Sequence, residues 1–356
     1  MSSITSTASE VAAVARAVAL ETRIREDPGS FRVLSGDRPT GPLHIGHYFG
    51  TLANRVRLQE LGVEVFVLVA DYQTLTDREA PRTLAEDVLG QVADYLAVGI
   101  DPARATIFAH SQIAALNQLL LPFLSLVSVS ELARNPTVKG ESAAGGAGPV
   151  SALMFTYPVH QAADILFCHA NVVPVGKDQL PHLELTRLIA RRFNDRYAPG
   201  EPYFPRPEGL LGAAPLLLGT DGTKMSKSRG NAIALAATED ETARLLRAAK
   251  TDSRRAITYD PRQRPEISSL LLLAALCRDE APEVVAEAVG DRGATALKQL
   301  ATEAVNERLR PIRRARRELV RDPGHLRSVL ADGAERARGV AERTLHDVRT
   351  LMRTAY

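Results

Sequence analysis

The sequence predicts an α/β fold: a doubly wound parallel-sheet domain over residues 31–236, followed by an all-helical C-terminal domain over 237–356. Three observations carry that prediction. Short apolar runs alternate with helical stretches through the first part of the chain. Val63–Val69 is apolar almost without interruption, as a parallel strand covered on both faces must be. From Ala237 onward nearly every segment has helical periodicity, broken only at Tyr259–Pro265, Ala281–Pro282 and Asp322–Gly324.

The elements follow in order. Residues 1–30 start Ser/Thr-rich and continue as an Ala/Val helix carrying Glu10, Arg16, Glu21, Arg23 and Arg25. That pattern lacks the basic start and apolar centre of a secretory signal, so an N-terminal extension is expected. Phe31–Ser35 is a first strand, Gly36–Gly41 a turn, and Leu43–Glu60 a helix. After the strand Val63–Val69 come a helix over Arg82–Val98, a strand over Thr106–Phe108 and a helix over Ala114–Val127. Glu141–Gly148 has no apolar period and reads as a loop. A helix opened by Tyr157-Pro158, another over Leu183–Phe193, a coil over Pro199–Pro207 and a last strand over Leu210–Leu218 complete the domain.

Composition narrows the class. A chain of 356 residues has room for two domains and a well-buried core. No apolar stretch approaches membrane length, so a soluble cytoplasmic protein with no membrane partner is expected. Cys168 and Cys277 are the only cysteines and have no close Cys/His spacing, which fits buried thiols in a reducing compartment and argues against a zinc or iron–sulfur site. Net charge is only +2, yet Arg308, Arg310, Arg313, Arg314, Arg316, Arg317 and Arg321 crowd one stretch. That crowding fits an anionic-partner face and a solvated helix surface equally well.

Two strings carry chemistry. Arg38-Pro39-Thr40-Gly41-Pro42-Leu43-His44-Ile45-Gly46-His47 sits where a strand turns into a helix. Orphan backbone N–H groups and the positive helix end favour phosphate oxygens there. Gly41 and Gly46 allow close backbone approach, and two imidazoles one turn apart can meet charge that builds on a triphosphate. The alternative is a His-rich helix start with no special role. Downstream, Lys224-Met225-Ser226-Lys227-Ser228 lies between Gly-rich flanks. Two of the chain's six lysines fall in it. Cations on a Gly-bounded loop suit departing pyrophosphate, since they can bind the transition state more tightly than the ground state; by itself the string would be a solvated basic loop.

Together and in this order, the strings resemble the paired signatures of class I aminoacyl-tRNA synthetases. Tyr157-Pro158-Val159-His160-Gln161-Ala162-Ala163-Asp164 and Val173-Pro174-Val175-Gly176-Lys177-Asp178-Gln179 resemble the tryptophanyl branch. The resemblance covers residues 31 to about 350 and implies a Rossmann-like catalytic domain followed by an anticodon-binding helical domain. It implies activation of L-tryptophan with ATP to an adenylate, transfer to tRNA(Trp), a homodimer, and Mg2+ delivered with ATP. It implies catalytic roles for His44, His47, Lys224 and Lys227. ATP contacts would fall to Arg38, Pro39, Thr40, Gly46, His47, Gly176, Lys177, Asp178, Pro215, Lys224, Met225, Ser226, Lys227 and Ser228.

The same resemblance implies an amino-acid pocket of Gln73, Tyr157, Gln161, Asp164, Val173, Val175 and Gln179, with Asp164 accepting the indole N–H and the valines packing the ring. A structural ion pair or helix cap is the other role open to Asp164. Gln73 and Gln161 stand where many tryptophanyl enzymes have His and Met, which implies an auxiliary or inhibitor-tolerant isoenzyme. The tyrosyl branch, a small nucleotidylyltransferase, and a non-catalytic tryptophan-binding paralogue are the alternatives.

Overall fold

The computed structural model describes residues 8–76, 82–135, 151–176, 179–211, 217–226 and 229–356. Among the described residues, five strands form one parallel sheet: β1 (Arg32–Asp37), β2 (Glu64–Val69), β3 (Ala105–Ala109), β4 (Val172–Val175) and β5 (Glu208–Leu211), in the order β3-β2-β1-β4-β5. The order reverses between β1 and β4, which share a single ladder pair, Val33–Val172. Open α/β sheets bind ligands at such a switch point, beyond the carboxyl ends of the strands.

Strand alternation sorts the side chains into two cores. Val33, Val65, Val67, Ile107 and Val172 face one core. It is completed by Leu58 of α3 (Ala53–Leu61), Val92 of α4 (Leu84–Ala97), Leu271 of α10 (Pro265–Arg278), Val285 of α11 (Pro282–Val289) and Leu297 of α12 (Gly293–Leu319). Leu34, Phe66, Phe108 and Val173 face the other. There they meet Phe123 of α5 (Ala114–Leu124), Val159 of α7 (Ala152–Leu166), Phe193 of α8 (Leu180–Tyr197) and Ala337 of α13 (Pro323–Leu351). Helices from both sides of residue 237 therefore line each core. Also among the described residues are the shorter or peripheral helices α2 (Ile45–His47), α6 (Val129–Arg134) and α9 (Glu239–Arg247).

The N-terminal helix α1 (Ala8–Glu26) ends docked rather than loose. Leu20 and Ile24 are buried in the first core, while Arg23 pairs with Glu208 and Glu21 with Arg57.

Several boundaries differ from the sequence-based expectation. The helix after the turn is not uniform: α2 runs into a π-helical stretch over Tyr48–Leu52 before α3 begins. Such one-turn irregularities cluster at functional sites. The helix expected to open at Tyr157-Pro158 starts earlier, at Ala152, where the Ser151 side chain accepts from Met154 N. Pro158 then lies buried inside it, and packing against α5 and α8 holds the helix together across the missing N–H. Strand β4 was not anticipated, because Pro174 breaks the pattern of a strand interior. The last strand is Glu208–Leu211 rather than Leu210–Leu218, and the loop expected over 141–148 lies outside the described residues.

Both cysteines are buried and free, and burial pushes each thiol up to about 12. No described helix is long and apolar enough to cross a membrane. Leu119 and Phe123 belong to the core, whereas Leu121 on the same helix is 71% exposed.

Candidate functional site

The two signature strings meet. His44 forms an antiparallel bridge with Ala234, Ile45 N donates to Ile233 O at 2.9 Å, and Leu235 N donates to Leu43 O at 2.9 Å. The histidine string thus lies alongside the chain that leaves the lysine string. Gly46 fixes how close they come: a Cβ there would stand 3.0 Å from the His44 ring and 3.1 Å from Met225 Sδ. Gly41 adopts a φ of 103°, a conformation L side chains rarely take. The His44 and His47 ring centroids are 3.7 Å apart. His47 Nδ1 accepts from His44 N at 3.2 Å, which places the proton of the neutral ring on Nε2. Pro39 is buried, Arg38 is exposed, and Thr40 N donates to Arg38 O at 2.8 Å.

Asn231 organises the lysine loop. Its Oδ1 accepts from Ser226 N at 2.7 Å, and its Nδ2 donates to Asp221 Oδ1 at 2.8 Å and to Lys224 O at 3.2 Å. Leu218 and Lys224 form a bridge across the loop's base. Met225 is buried and Lys224 exposed. Lys227 and Ser228 lie outside the described residues, as do Lys177, Asp178 and Pro215.

Two buried ion pairs brace the histidine string. Asp94 of α4 is fully buried; its Oδ2 accepts from Leu43 N at 3.1 Å and its Oδ1 from Arg316 Nε at 2.6 Å. A residue of α12 is thereby tied to the backbone one position before His44. At the end of β1, Asp37 Oδ2 accepts from Arg55 Nη1 at 2.6 Å and from Tyr95 OH at 2.9 Å. Burial alone would raise the Asp37 carboxyl, but the Arg55 guanidinium outweighs it and holds the group below its ordinary value.

A carboxylate depressed in the folded state stabilises above its unfolded pKa and loses that contribution as pH falls through the folded one. Unfolding free energy is therefore expected to decline below about pH 4, with Asp37→Asn flattening that decline. Urea denaturation between pH 3 and 7 measures it.

Of the residues expected to bind the amino acid, Gln73 and Asp164 are in contact. Asp164, on α7, is 2% exposed; its Oδ2 accepts from Gln73 Nε2 at 2.8 Å, and its Oδ1 lies 2.7 Å from His110 Nδ1. His110 Nε2 is 2.8 Å from His160 Nε2. Burial would lower the His110 pKa, but the Asp164 carboxylate reverses this and raises it; burial lowers that of His160. Val173 and Val175 are buried in the core beside α7. Tyr157 OH bonds His182 Nε2 at 2.9 Å, and Gln179 N donates to Gly176 O at 3.1 Å where β4 gives way to α8. Gln161 is half-buried, and no contact places it against Asp164.

Sequence inspection missed His110, His160, Asp94, Arg55 and the organising role of Asn231, and read Arg316 only as one of the crowded arginines. Of these, Asn231 and His160 stand inside or beside the quoted strings; the others lie on distant elements with no local signal. Five of the seven crowded arginines are engaged within the protein: Arg308 with Asp279, Arg310 with Glu239 and Glu307, Arg313 with Thr242, Arg316 with Asp94, and Arg321 with Glu318. Only Arg313 and Arg316 reach buried partners; the Arg310 and Arg321 pairs lie on the surface, where Arg314 and Arg317 are also exposed. Among the described residues, no group of three or more His, Cys, Asp or Glu is placed to hold a metal ion.

Known proteins match this arrangement closely. A family model described as tRNA synthetases class I (W and Y) matches residues 26–310. A tryptophan–tRNA ligase of Clostridium longisporum is 41% identical over 336 residues, covering 91% of this chain and 97% of that protein. One of Treponema pallidum is 42% identical over 332 residues, covering 90% and 96%. Among solved structures, tryptophanyl-tRNA synthetase of Campylobacter jejuni, complexed with ADP and tryptophan, superposes with a TM-score of 0.77 at 29% identity, over 90% of this chain and 99% of that one. A tyrosyl-tRNA synthetase of Archaeoglobus fulgidus, at 22% identity and a TM-score of 0.64, shares the fold. With both signature strings in contact beside a parallel sheet and a family match over most of its length, the chain belongs to the class I tRNA synthetases of the tryptophanyl and tyrosyl group.

Proposed function

We propose that the protein is a tryptophan–tRNA ligase. The observation that carries this reading is that the histidine string lies beside the chain leaving the lysine string and meets Met225 at Gly46. In the first step a carboxylate oxygen of tryptophan bonds to the α-phosphorus of ATP, the bond to the bridging oxygen breaks, and pyrophosphate leaves. His44 and His47 meet the triphosphate from the helix start; Lys224 and Lys227 meet the departing charge from the loop. No side chain bonds covalently, so catalysis consists of positioning and charge stabilisation. Mg2+ comes with ATP and helps neutralise its phosphates. Transfer to tRNA(Trp) follows, with the helical region 237–356 holding the tRNA and a second copy completing a homodimer in the cytoplasm.

Asp164, Gln73, Val173 and Val175 form the amino-acid pocket, with Tyr157, Gln161 and Gln179 around it. The Trp-named relatives, at 41% and 42% identity over nine-tenths of the chain, favour tryptophan over tyrosine. ATP–pyrophosphate exchange across the twenty amino acids tests the reading: tryptophan drives exchange, and exchange driven by tyrosine, or by none, overturns it. Lys227→Ala is expected to lower kcat by about 10²–10³-fold, the scale of losing one transition-state charge contact. Asp164→Ala should act mainly on the KM for tryptophan. Gln73 and Gln161 further support tolerance of indole-based competitive inhibitors; inhibition equal to that of a homologue with His and Met at these positions would refute it.

A further inference from the structure

A second concentration of positive charge lies outside the crowded stretch 308–321. Residues 244–264 hold seven basic and two acidic residues, in a chain whose net charge is only +2. Both acids are committed to shaping the segment. Asp252 takes Arg264 in a two-point ion pair, Nε to Oδ2 at 2.6 Å and Nη2 to Oδ1 at 2.8 Å, and Arg264 is buried. Arg264 Nη1 also donates to Ala256 O at 2.7 Å and to Thr258 Oγ1 at 3.0 Å. Asp260 Oδ1 accepts from Arg262 N at 3.1 Å and from Gln263 N at 3.0 Å. The loop between α9 and α10 is thus pinned from inside.

Its other arginines are left unmatched. Arg244, Arg247, Arg254, Arg255 and Arg262 are exposed, and none forms an ion pair with a described carboxylate. The side-chain hydrogen bonds in this group go to backbone carbonyls, Arg247 Nε to Ala243 O and Arg255 Nε to Asp291 O. By contrast, Arg308, Arg310, Arg316 and Arg321 each meet a protein carboxylate. Tertiary contacts draw the unmatched segments together beside the lysine loop. Ile257 N donates to Gly290 O at 3.0 Å, in the turn before α12, next to the carbonyl that Arg255 holds. Lys298 of α12 donates from Nζ to Arg247 O at 3.0 Å, at the end of α9. Lys250 N donates to Thr220 O at 2.7 Å, at the base of the lysine loop, and Lys250 Nζ pairs with Glu266.

We propose that this face holds the sugar–phosphate backbone of the tRNA, through Arg254, Arg255 and Arg262 of the loop and Arg244 and Arg247 of α9. The proposal rests on the ligase reading above. An exposed guanidinium without a protein carboxylate gives up no ion pair when it meets a phosphate, and the phosphate releases its counterions. An arginine already matched by a carboxylate must first give up that partner. Phosphate contacts position a nucleic acid without reading its sequence, so this face orients the tRNA and leaves base recognition to other residues.

The test measures the Kd of an in vitro transcript of tRNA(Trp) as a function of KCl concentration, with tRNA-free ATP–pyrophosphate exchange run on the same samples. Arg254→Gln with Arg262→Gln removes two charges whose side chains make no hydrogen bond within the protein. This double variant should weaken the transcript by about 10–60-fold at about 0.1 M salt, and its slope of log Kd against log[KCl] should be shallower by about 1–2. Tryptophan-dependent exchange should stay within about twofold, since that step needs no tRNA. Arg310→Gln with Arg321→Gln removes the same net charge from matched pairs, and should change Kd by less than about threefold.

An unchanged Kd in the loop variant would overturn the proposal. So would a weaker Kd with an unaltered salt slope, which would mean a reshaped loop rather than lost phosphate contacts. Equal losses in the two double variants would assign the effect to net charge and overturn it as well. Absence of tryptophan-dependent exchange in the unaltered protein would instead remove the ligase reading, and with it the reason to expect tRNA on this face.

Discussion

Gly333→Ala is expected to cost about 3 kcal/mol or more of unfolding free energy, at or beyond the top of the range for overpacking a core. Gly333 lies on α13, the last helix, where it crosses β3. A Cβ there would stand 1.8 Å from Ile107 O, 2.6 Å from Ile107 C and 3.0 Å from Ile107 N. All three are backbone atoms of a strand, so no side-chain rotation relieves the clash; the helix must lift off the sheet. Lifting it would also separate Ala334, Ala337 and Ala341 from the core they share with Phe108 and Phe167. Gly339 on the same helix is the control. The nearest atom to a Cβ there is Arg343 Nη1 at 3.6 Å, so Gly339→Ala should stabilise by about 0.5–1 kcal/mol through helix propensity alone. Urea denaturation of the two variants side by side separates packing from propensity, and similar stability in both would refute the close-crossing argument.

The second large effect is expected at the link between the C-terminal helices and the histidine string. Arg316→Met should cost about 3–5 kcal/mol, because it takes the guanidinium 2.6 Å from the carboxylate of fully buried Asp94 out of the interior. The loss should also reach the reaction. Asp94 holds Leu43 N, and Leu43 directly precedes His44, so a carboxylate that turns or takes up a proton releases the start of the helix that presents both imidazoles. Adenylate formation in folded Arg316→Met protein is therefore expected to show a lowered kcat, with the KM for tryptophan little changed. The double variant Asp94→Asn with Arg316→Met should be less impaired than the sum of the single changes, since two groups in one ion pair are coupled. Strict additivity in both stability and kcat would show that the contact transmits nothing to the site.

Much of this molecule was readable from local pattern. A continuous apolar run identified β2, because a strand buried on both faces has little freedom of composition. Pro at the first turn marked α10, α11 and α13, because its missing N–H is costless there. Pattern failed where tertiary packing overrides a local rule. Pro174 sits in β4 and Pro158 inside α7, and each is tolerated because buried neighbours hold the element that the proline alone would break.

By itself the sequence determined the α/β class, the helical second part and the two strings, since each rests on residue types within one short window. Only the tertiary structure decided that the histidine string meets Met225 at Gly46, that most of the crowded arginines face protein carboxylates, and that His110 stands against Asp164. Such pairings join residues dozens to hundreds of positions apart. Their partners are selected by burial, where a charge or polar group must find its complement in space, and no local window carries that information.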